Sequence, residues 1–432
     1  MYMATKLQLI ASILENLKYD NSIPIASSVD INISKELAES YTHKIVKADI
    51  VSNIITDIAF ERQLNNRVHP DYKTVKFEGA LLNDILKEIN SEISSLPKKY
   101  EFIFRLPHTD TPIKSIKLRN NIEILTLGSE SGAYQPKPQP TSKASKLSDL
   151  TRLVGSLSSA INQARLTLES SDTILRINVS GYVAKYGEIH LTTDDPLYIY
   201  KVIMGFYLNQ KIFISKPTLD YYNKAPLNYS YSIIDKLTSN VVRSFDGDTQ
   251  DGIISSRRQY DPSAFKPTSL QKALSITDAP IDTAHKELKK LFSKMTGDGM
   301  PEWLPKQQRR LKNGLYWYYE ARKAPQNFLI VTSVISSLDA LASSDQSAKE
   351  AKADSISQAI SKNIVSEKDI REEIIKLYAL RNSIVHGEMA VSALDDYTVN
   401  GRKNSTIAYA GLRISSLYLN YRIQKYTSLP WK

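Results

Sequence analysis

The feature that most constrains the fold of this sequence is a segment, Asn327 to Ala342, that is apolar on nearly every side of a helix. Its large apolar side chains are Phe328, Leu329, Ile330, Val331, Val334, Ile335, Leu338 and Leu341. A helix without a polar face has to be surrounded by other elements, and this segment is shorter than the roughly 20 residues that cross a bilayer. We therefore expect it to be the buried centre of a helical bundle.

Three further helices are predicted around this central one. One precedes it at about 305–323, one follows at about 366–387, and the last begins near Asn404 or Ser405 and continues to about 426. The third helix opens with Ser366 and Asp369 at the spacing of a capping box and stops at Gly387. The polar stretch at 343–365 is interpreted as an exposed connection.

The first 300 residues mix two periodicities. Helical spacing dominates up to about residue 100, alternation with a period of two follows to about 127, and Ile174 to Val183 is predicted to be another strand. Further helices are predicted at 150–168, 196–208 and 283–295. Stretches rich in Pro, Ser, Lys or Gly at 134–148 and 296–301 indicate breaks between these parts.

The predicted fold class is an α+β amino-terminal region followed by an all-α helical bundle, mostly helical overall. We divide the chain into a helical region with a small sheet at 1–133, an α+β region at 149–297 and the helical bundle at 301–432.

Composition narrows the chemistry. The 432 residues include no cysteine, which excludes disulfides and thiolate metal sites and favours a reducing compartment. The net charge of +10 favours a polyanionic partner such as nucleic acid. Because no apolar run reaches bilayer length, we expect a cytoplasmic protein that binds no membrane.

One carboxylate interrupts the apolar central helix. Asp339 follows Leu338 directly. A carboxylate on such a helix is costly unless a cation or several hydrogen-bond donors satisfy it. We therefore expect a partner for Asp339.

Three side chains that can act on a phosphate stand at the end of the third helix: Arg381, Asn382 and His386. Positions i and i+5 lie about 140° apart on an ideal helix, so Arg381 and His386 do not share a face, whereas Asn382 and His386 do. The three would line one cleft if the last turn unwinds at Gly387, or if a second copy of the helix faces the first. A histidine near a helix carboxyl end and a surface arginine are also ordinary structural residues.

This cluster suits one reaction. RNA supplies its own nucleophile, the 2′-hydroxyl, so its cleavage needs a proton-transfer group that titrates near neutrality and a cation for the charge on the phosphorane. His386 is the candidate for proton transfer, Arg381 for stabilising the phosphate, and Asn382 for orienting either group. We expect no metal and no cofactor.

The run from Leu380 to Gly387 resembles the signature of HEPN domains, and in particular of the Apea-like HEPN family of bacterial defence proteins. The helix pair ahead of it, with Leu315 to Ala321 and then Phe328 to Leu341, is similar to the pair that precedes the signature in that family. The resemblance covers roughly 301–432.

The resemblance implies a homodimer through the bundle, with two Arg381/His386 pairs in one composite cleft, and a metal-independent ribonuclease active against phage. It implies catalytic roles for Arg381, His386 and Asn382, and for Asp339 as the orienter of Arg381, although the family often has Glu at that position. It further implies a sensor or regulatory role for the region ahead of the bundle and a phage-derived trigger.

The acid-free stretch from Gly401 carries the predicted RNA-binding residues Arg402, Lys403, Arg413, Arg422 and Lys425. The alternative function is a non-catalytic HEPN scaffold that binds RNA or a partner protein.

Overall fold

The structure is a computed structural model. It describes residues 5–16, 19–20, 23–24, 31–41, 46–66, 79–106, 115–126, 173–184, 188–192, 194–210, 230–246, 281–293, 303–324, 327–342, 348–361, 366–388, 398–399 and 402–429. The predicted helix at 150–168 lies outside the described residues.

Four helices and a short ribbon come first. The helices are α1 (Lys6–Asn16), α2 (Ile31–Glu39), α3 (Ala48–Asn66) and α4 (Ala80–Ser95), and the ribbon pairs β1 (Tyr19–Asp20) with β2 (Ile23–Pro24). The apolar sides of these helices form one buried cluster that includes Ile10, Ile54 and Ile89. The helical periodicity of the first hundred residues is therefore confirmed.

An antiparallel sheet of seven strands follows. Its strands are β3 (Lys98–Arg105), β4 (Ile116–Arg119), β5 (Ile122–Thr126), β6 (Thr173–Val183), β7 (Ile189–Leu191), β8 (Ser230–Asp235) and β9 (Val241–Asp246). The order across the sheet is β4-β5-β6-β3-β8-β9, and β7 pairs with the end of β6. In the central strand Ile177 lies opposite both Phe102 and Ile122, so one face of the sheet is apolar.

The remaining elements are helical apart from one small ribbon. They are α5 (Pro196–Asn209), α6 (Ile281–Phe292), α7 (Trp303–Lys323), α8 (Asn327–Leu341), α9 (Lys349–Ile360), α10 (Glu367–Val385) and α11 (Asn404–Thr427), with β10 (Thr398–Val399) paired to β11 (Arg402–Lys403). The protein is thus mostly helical, with its antiparallel sheet in the amino-terminal half and helices in the carboxy-terminal part, as the sequence predicts.

Helix α5 joins the sheet to the bundle. Buried side chains of β3, β5, β6 and β8 belong to the same hydrophobic cluster as those of α5 and of the helices from α6 to α11. A Cβ on Gly205 of α5 would lie 2.1 Å from the carbonyl oxygen of Leu315 of α7, so the two backbones touch. The apolar face of the sheet and the bundle therefore share one core, while the predicted division at 297/301 stays a prediction.

The central helix is buried as predicted, and a buried serine on it forms hydrogen bonds to both neighbouring helices. Val331, Val334 and Leu338 of α8 are at most 1% exposed. Ser337 of α8 donates a hydrogen bond to the carbonyl oxygen of Gly314 and accepts one from Ser415 of α11. These buried hydroxyls satisfy one another, which fixes the relative positions of α7, α8 and α11.

One sequence prediction is wrong. The stretch at 343–365, interpreted as an exposed connection, contains α9, in which Ala353 and Ile356 are fully buried. Ala353, Ile356 and Ile360 recur at the helical spacing of three and four, which is enough to anchor a short helix even though most of its other residues are polar.

Candidate functional site

Helix α10 begins and ends through local signals. At its start the Ser366 hydroxyl accepts a hydrogen bond of 3.4 Å from the amide of Asp369, as the capping-box spacing predicts. At its end the amide of His386 donates to the carbonyl of Asn382 at 2.9 Å. Gly387 follows with φ +72°, in the left-handed region where glycine is preferred, and its amide donates to Ile384. The helix therefore stops immediately before the histidine.

The three predicted side chains of the site lie together at this end, although they do not all contact one another. The guanidinium of Arg381 donates to Oδ1 of Asn382 at 3.1 Å, and both residues are half-buried. His386 is exposed, and no hydrogen bond joins its ring to Arg381 within the single chain. This arrangement agrees with the angular separation of about 140° that the helix imposes.

Asp339 has the partners that its position requires. Its Oδ1 lies 2.6 Å from Nζ of Lys352 in α9 and accepts a hydrogen bond of 2.7 Å from the hydroxyl of Tyr378 in α10. Burial, and next the hydrogen bond to Asp339, raise the pKa of Tyr378 above its ordinary value. The tyrosine thus stays neutral and donates to the carboxylate.

Asp339 therefore contacts Tyr378, one helical turn before Arg381, and does not hydrogen-bond to Arg381 itself. The positive charge of Arg381 acts on Tyr378 in the direction opposite to Asp339 and lowers its pKa. Sequence reasoning missed Lys352 and the role of Tyr378. The signal for Lys352 was the apolar spacing of α9, in the stretch interpreted as a connection.

The predicted RNA-binding residues do not form one surface. Arg402 and Lys403 belong to β11. Arg413 and Arg422 are nine residues apart on α11, which places them on roughly opposite sides of that helix. Their assignment as RNA-binding residues stays a prediction.

Arg422 and Lys425, both on α11, have different surroundings. Arg422 donates to the carbonyl of Leu341 at the end of α8, to the Tyr418 hydroxyl and to Gln307. These bonds satisfy a helix carboxyl end inside the protein. Lys425 is exposed, and its Nζ lies 6.0 Å from the centre of the Tyr421 ring.

The described residues contain no group of three or more His, Asp or Glu placed to hold a metal ion. Within those same ranges, no helix has the length and apolar character needed to cross a bilayer.

Comparisons with protein-family models, with curated proteins and with solved structures find no match to this chain.

Proposed function

We propose that this chain is a metal-independent endoribonuclease of the HEPN type, in which Arg381 and His386 of two paired chains cleave RNA. The observation that carries the proposal is that these two side chains, at the end of α10, are not used to hold the fold together. His386 is exposed, and the hydrogen bond of Arg381 goes to the neighbouring Asn382. The sequence around them, similar to the HEPN signature, supports the same assignment.

The chemistry follows from the two groups. The 2′-hydroxyl attacks the adjacent phosphorus while His386 of one chain accepts its proton. Arg381 stabilises the negative charge of the phosphorane, and Asn382 holds the guanidinium in position. The bond from phosphorus to the 5′-oxygen breaks, and His386 of the second chain donates a proton to that oxygen. The products are a 2′,3′-cyclic phosphate and a 5′-hydroxyl.

A dimer supplies what one helix cannot. On an ideal helix Arg381 and His386 lie about 140° apart, and no hydrogen bond joins them in the single chain, so we propose that a second copy brings both kinds of group to one phosphate. Val385 lies beside the histidine and is 55% exposed, and a second α10 would cover it. We place the dimer contact at this end of the bundle.

The biological setting proposed is anti-phage defence in the cytoplasm by abortive infection, with cellular RNA such as tRNA as the substrate. An unrestrained nuclease would kill its host, so the region at 149–297 is proposed to restrain the site until a phage-derived trigger acts on it.

The test compares wild type with Arg381→Ala and His386→Ala on total RNA in EDTA, with and without phage lysate. Loss of general acid–base catalysis reduces rates by about 10² to 10⁴ fold, and loss of a group that stabilises transition-state charge by about 10² to 10³ fold, so both variants are expected to lose at least about 100-fold in cleavage. Arg371→Ala is the matched control, because Arg371 is on the same helix and pairs with Asp354 near the surface. End-group analysis should find cyclic phosphates.

Equal cleavage by all four proteins, or cleavage abolished by EDTA, would reject the proposed site. Toxicity in a bacterial host gives an independent readout, in which wild type and Arg371→Ala arrest growth and His386→Ala does not.

The alternative is a HEPN scaffold that binds RNA or a partner protein without cutting. It is favoured by the absence of contact between Arg381 and His386 in the single chain. RNA binding without cleavage, in the presence of phage lysate and with a demonstrated dimer, would select it.

A further inference from the structure

Helix α7 has the most unbalanced charge of the bundle helices. It contains six lysines and arginines and a single carboxylate, Glu320. Four of the cations, Lys306, Arg309, Arg310 and Lys312, lie within seven consecutive residues, and all four reach the surface at least in part. Their spacing of three and four places like charges next to each other on the helix, which is unfavourable in the free protein.

Lys306, Arg309 and Arg310 have no carboxylate or hydrogen-bond partner among the residues that the structure describes, whereas Nζ of Lys312 lies 4.7 Å from the centre of the Phe292 ring and is close enough to Asp194 to feel its charge. The contrast with the other end of the same helix is clear, because Glu320 there forms an ion pair of 2.6 Å with Lys201 of α5. A run of adjacent unpaired cations attracts a polyanion, since phosphates relieve their mutual repulsion and release counterions.

Aromatic side chains border the four cations. Trp303 is 49% exposed and Trp317 is 38% exposed, which is unusual for the largest apolar residue. Tyr316 stacks on Tyr198 of α5, with ring centres 5.5 Å apart, and the Tyr198 hydroxyl donates to Asn313 between the cations and the aromatic residues. Exposed aromatic rings next to cations are what a single strand of nucleic acid needs, because unpaired bases stack on them.

The two tryptophans also set a length. They are fourteen residues apart, which corresponds to about 21 Å along a helix axis and to nearly the same side of it. Stacked nucleotides advance by roughly 3.4 Å per phosphate in one strand, so the interval accommodates about six of them. This matches the site sizes of single-strand binding surfaces, roughly 4 to 16 nucleotides.

The positive surface continues from α7 onto the sheet. Burial, and next the charge of Arg119 at the end of β4, lower the pKa of Lys312 to about 8. Arg119 in turn forms an ion pair of 3.4 Å with Asp194, and both residues line an open groove of about 630 Å³ together with Lys99, Lys236 and the amide of Asn178.

We propose that the exposed side of α7 between Trp303 and Trp317, with the cations Lys306, Arg309 and Arg310, is a binding surface for single-stranded RNA. The cations hold the phosphates and the tryptophans stack on bases. This α7 surface is separate from the residues at the end of α10 that cut the strand, and the identification of the strand as RNA rests on the function proposed above.

Binding is measured with the full chain carrying His386→Ala, so that cutting does not interfere, by fluorescence anisotropy of a labelled 12-nucleotide RNA of mixed sequence. The test variant adds Lys306→Glu, Arg309→Glu and Arg310→Glu. The matched control adds Lys35→Glu, Lys87→Glu and Lys368→Glu, which change the net charge equally at exposed positions of α2, α4 and α10. Circular dichroism and thermal unfolding establish that both variants are folded.

We expect at least 30-fold weaker binding for the test variant and less than 3-fold for the control. The slope of log K against log salt should fall by about 2 in the test variant, since each lost phosphate contact accounts for about 0.7 with a single strand. Equal losses in the two variants would mean that net charge alone attracts RNA and would overturn the proposal. So would tighter binding to a 12-base-pair RNA duplex than to the single strand, or an equal loss of binding to anionic lipid vesicles.

Trp317→Ala tests stacking without changing charge. It should weaken binding about 10-fold and leave the salt slope unchanged, whereas Trp317→Phe should bind nearly as well as the parent. Unchanged binding by Trp317→Ala would remove the stacking part of the proposal. Cleavage is measured with the same α7 substitutions in a chain that retains His386. If cleavage requires His386 but the α7 variants still bind RNA, only the α7 proposal fails. If RNA binds through α7 and no cleavage occurs, only the nuclease proposal fails.

Discussion

The first part of α10 and its last turn have opposite surroundings. Ile370, Ile374 and Leu377 are fully buried in the shared core. After Leu380 the residues are half-buried up to Ile384, and Val385 and His386 are exposed. The difference teaches that one helix can separate its tasks along its length, with stability supplied by the first part and reactive groups presented by the end.

Leu377→Ala should have the largest effect on stability. Leu377 is fully buried and its methyl groups fill the space beside Gly411 of α11, so truncation leaves a cavity between two helices. The free energy of unfolding should fall by about 3 kcal/mol. Denaturant unfolding measures this. The rate of RNA cleavage per folded molecule should stay within threefold of wild type. A hundredfold loss would show that the buried first part of α10 also contributes to cleavage.

Asp339→Ala should come next, at about 2 kcal/mol, because it removes the shared acceptor of Lys352 and Tyr378 and leaves both short of a partner. Asp339→Asn is the matched variant, since it retains an acceptor for the tyrosine and loses the charge. We expect stability to suffer more than cleavage. A large loss of cleavage with unchanged stability would instead support a direct orienting role of Asp339 on Arg381.

Gly387→Ala should cost about 1 to 2 kcal/mol, because an alanine at φ +72° is strained although no atom lies within 4 Å of its Cβ. Gly387→Asn should cost less, since asparagine tolerates this region. The substitution changes the backbone next to His386, so cleavage should also fall. An unchanged cleavage rate would show that the position of His386 does not depend on how the helix ends.

Ser366→Ala should have the smallest effect, about 1 kcal/mol, because it removes one capping hydrogen bond at the far end of α10. Ser366→Asp should retain the cap. Thermal unfolding checks the stability, and cleavage by both variants should equal that of wild type. A loss of cleavage in Ser366→Ala alone would mean that the two ends of the helix are coupled.

The sequence predicted many elements well because their signals are local. The capping spacing of Ser366 and Asp369 and the glycine at 387 act within one turn, and both predicted ends of α10 are found. The many apolar residues of α8 predicted a central position, and most of them are buried. The alternation in 174–183 likewise predicted the longest strand, β6.

Helical periodicity was less informative where most residues of a helix are polar. Helix α9 was overlooked because two or three apolar residues carry its amphipathic pattern, although they are enough to bury it. Charge alone predicts Arg422 to be an RNA contact, and that assignment stays a prediction. Its three internal hydrogen bonds depend on Leu341 and Gln307, which are remote in the sequence.

The sequence by itself determined where the bundle helices other than α9 begin and end, that the central helix is buried, and that Arg381, Asn382 and His386 stand together at a helix end. Periodicity and capping depend on residues that are close in the sequence, so they can be recognised from the sequence alone. Only the tertiary structure decided that Lys352 and Tyr378 satisfy Asp339, that α5 joins the sheet to the bundle, and that Lys306, Arg309 and Arg310 of α7 find no carboxylate partner among the described residues. Those outcomes depend on which distant segments pack together, and packing selects partners by shape and burial across tens to hundreds of residues.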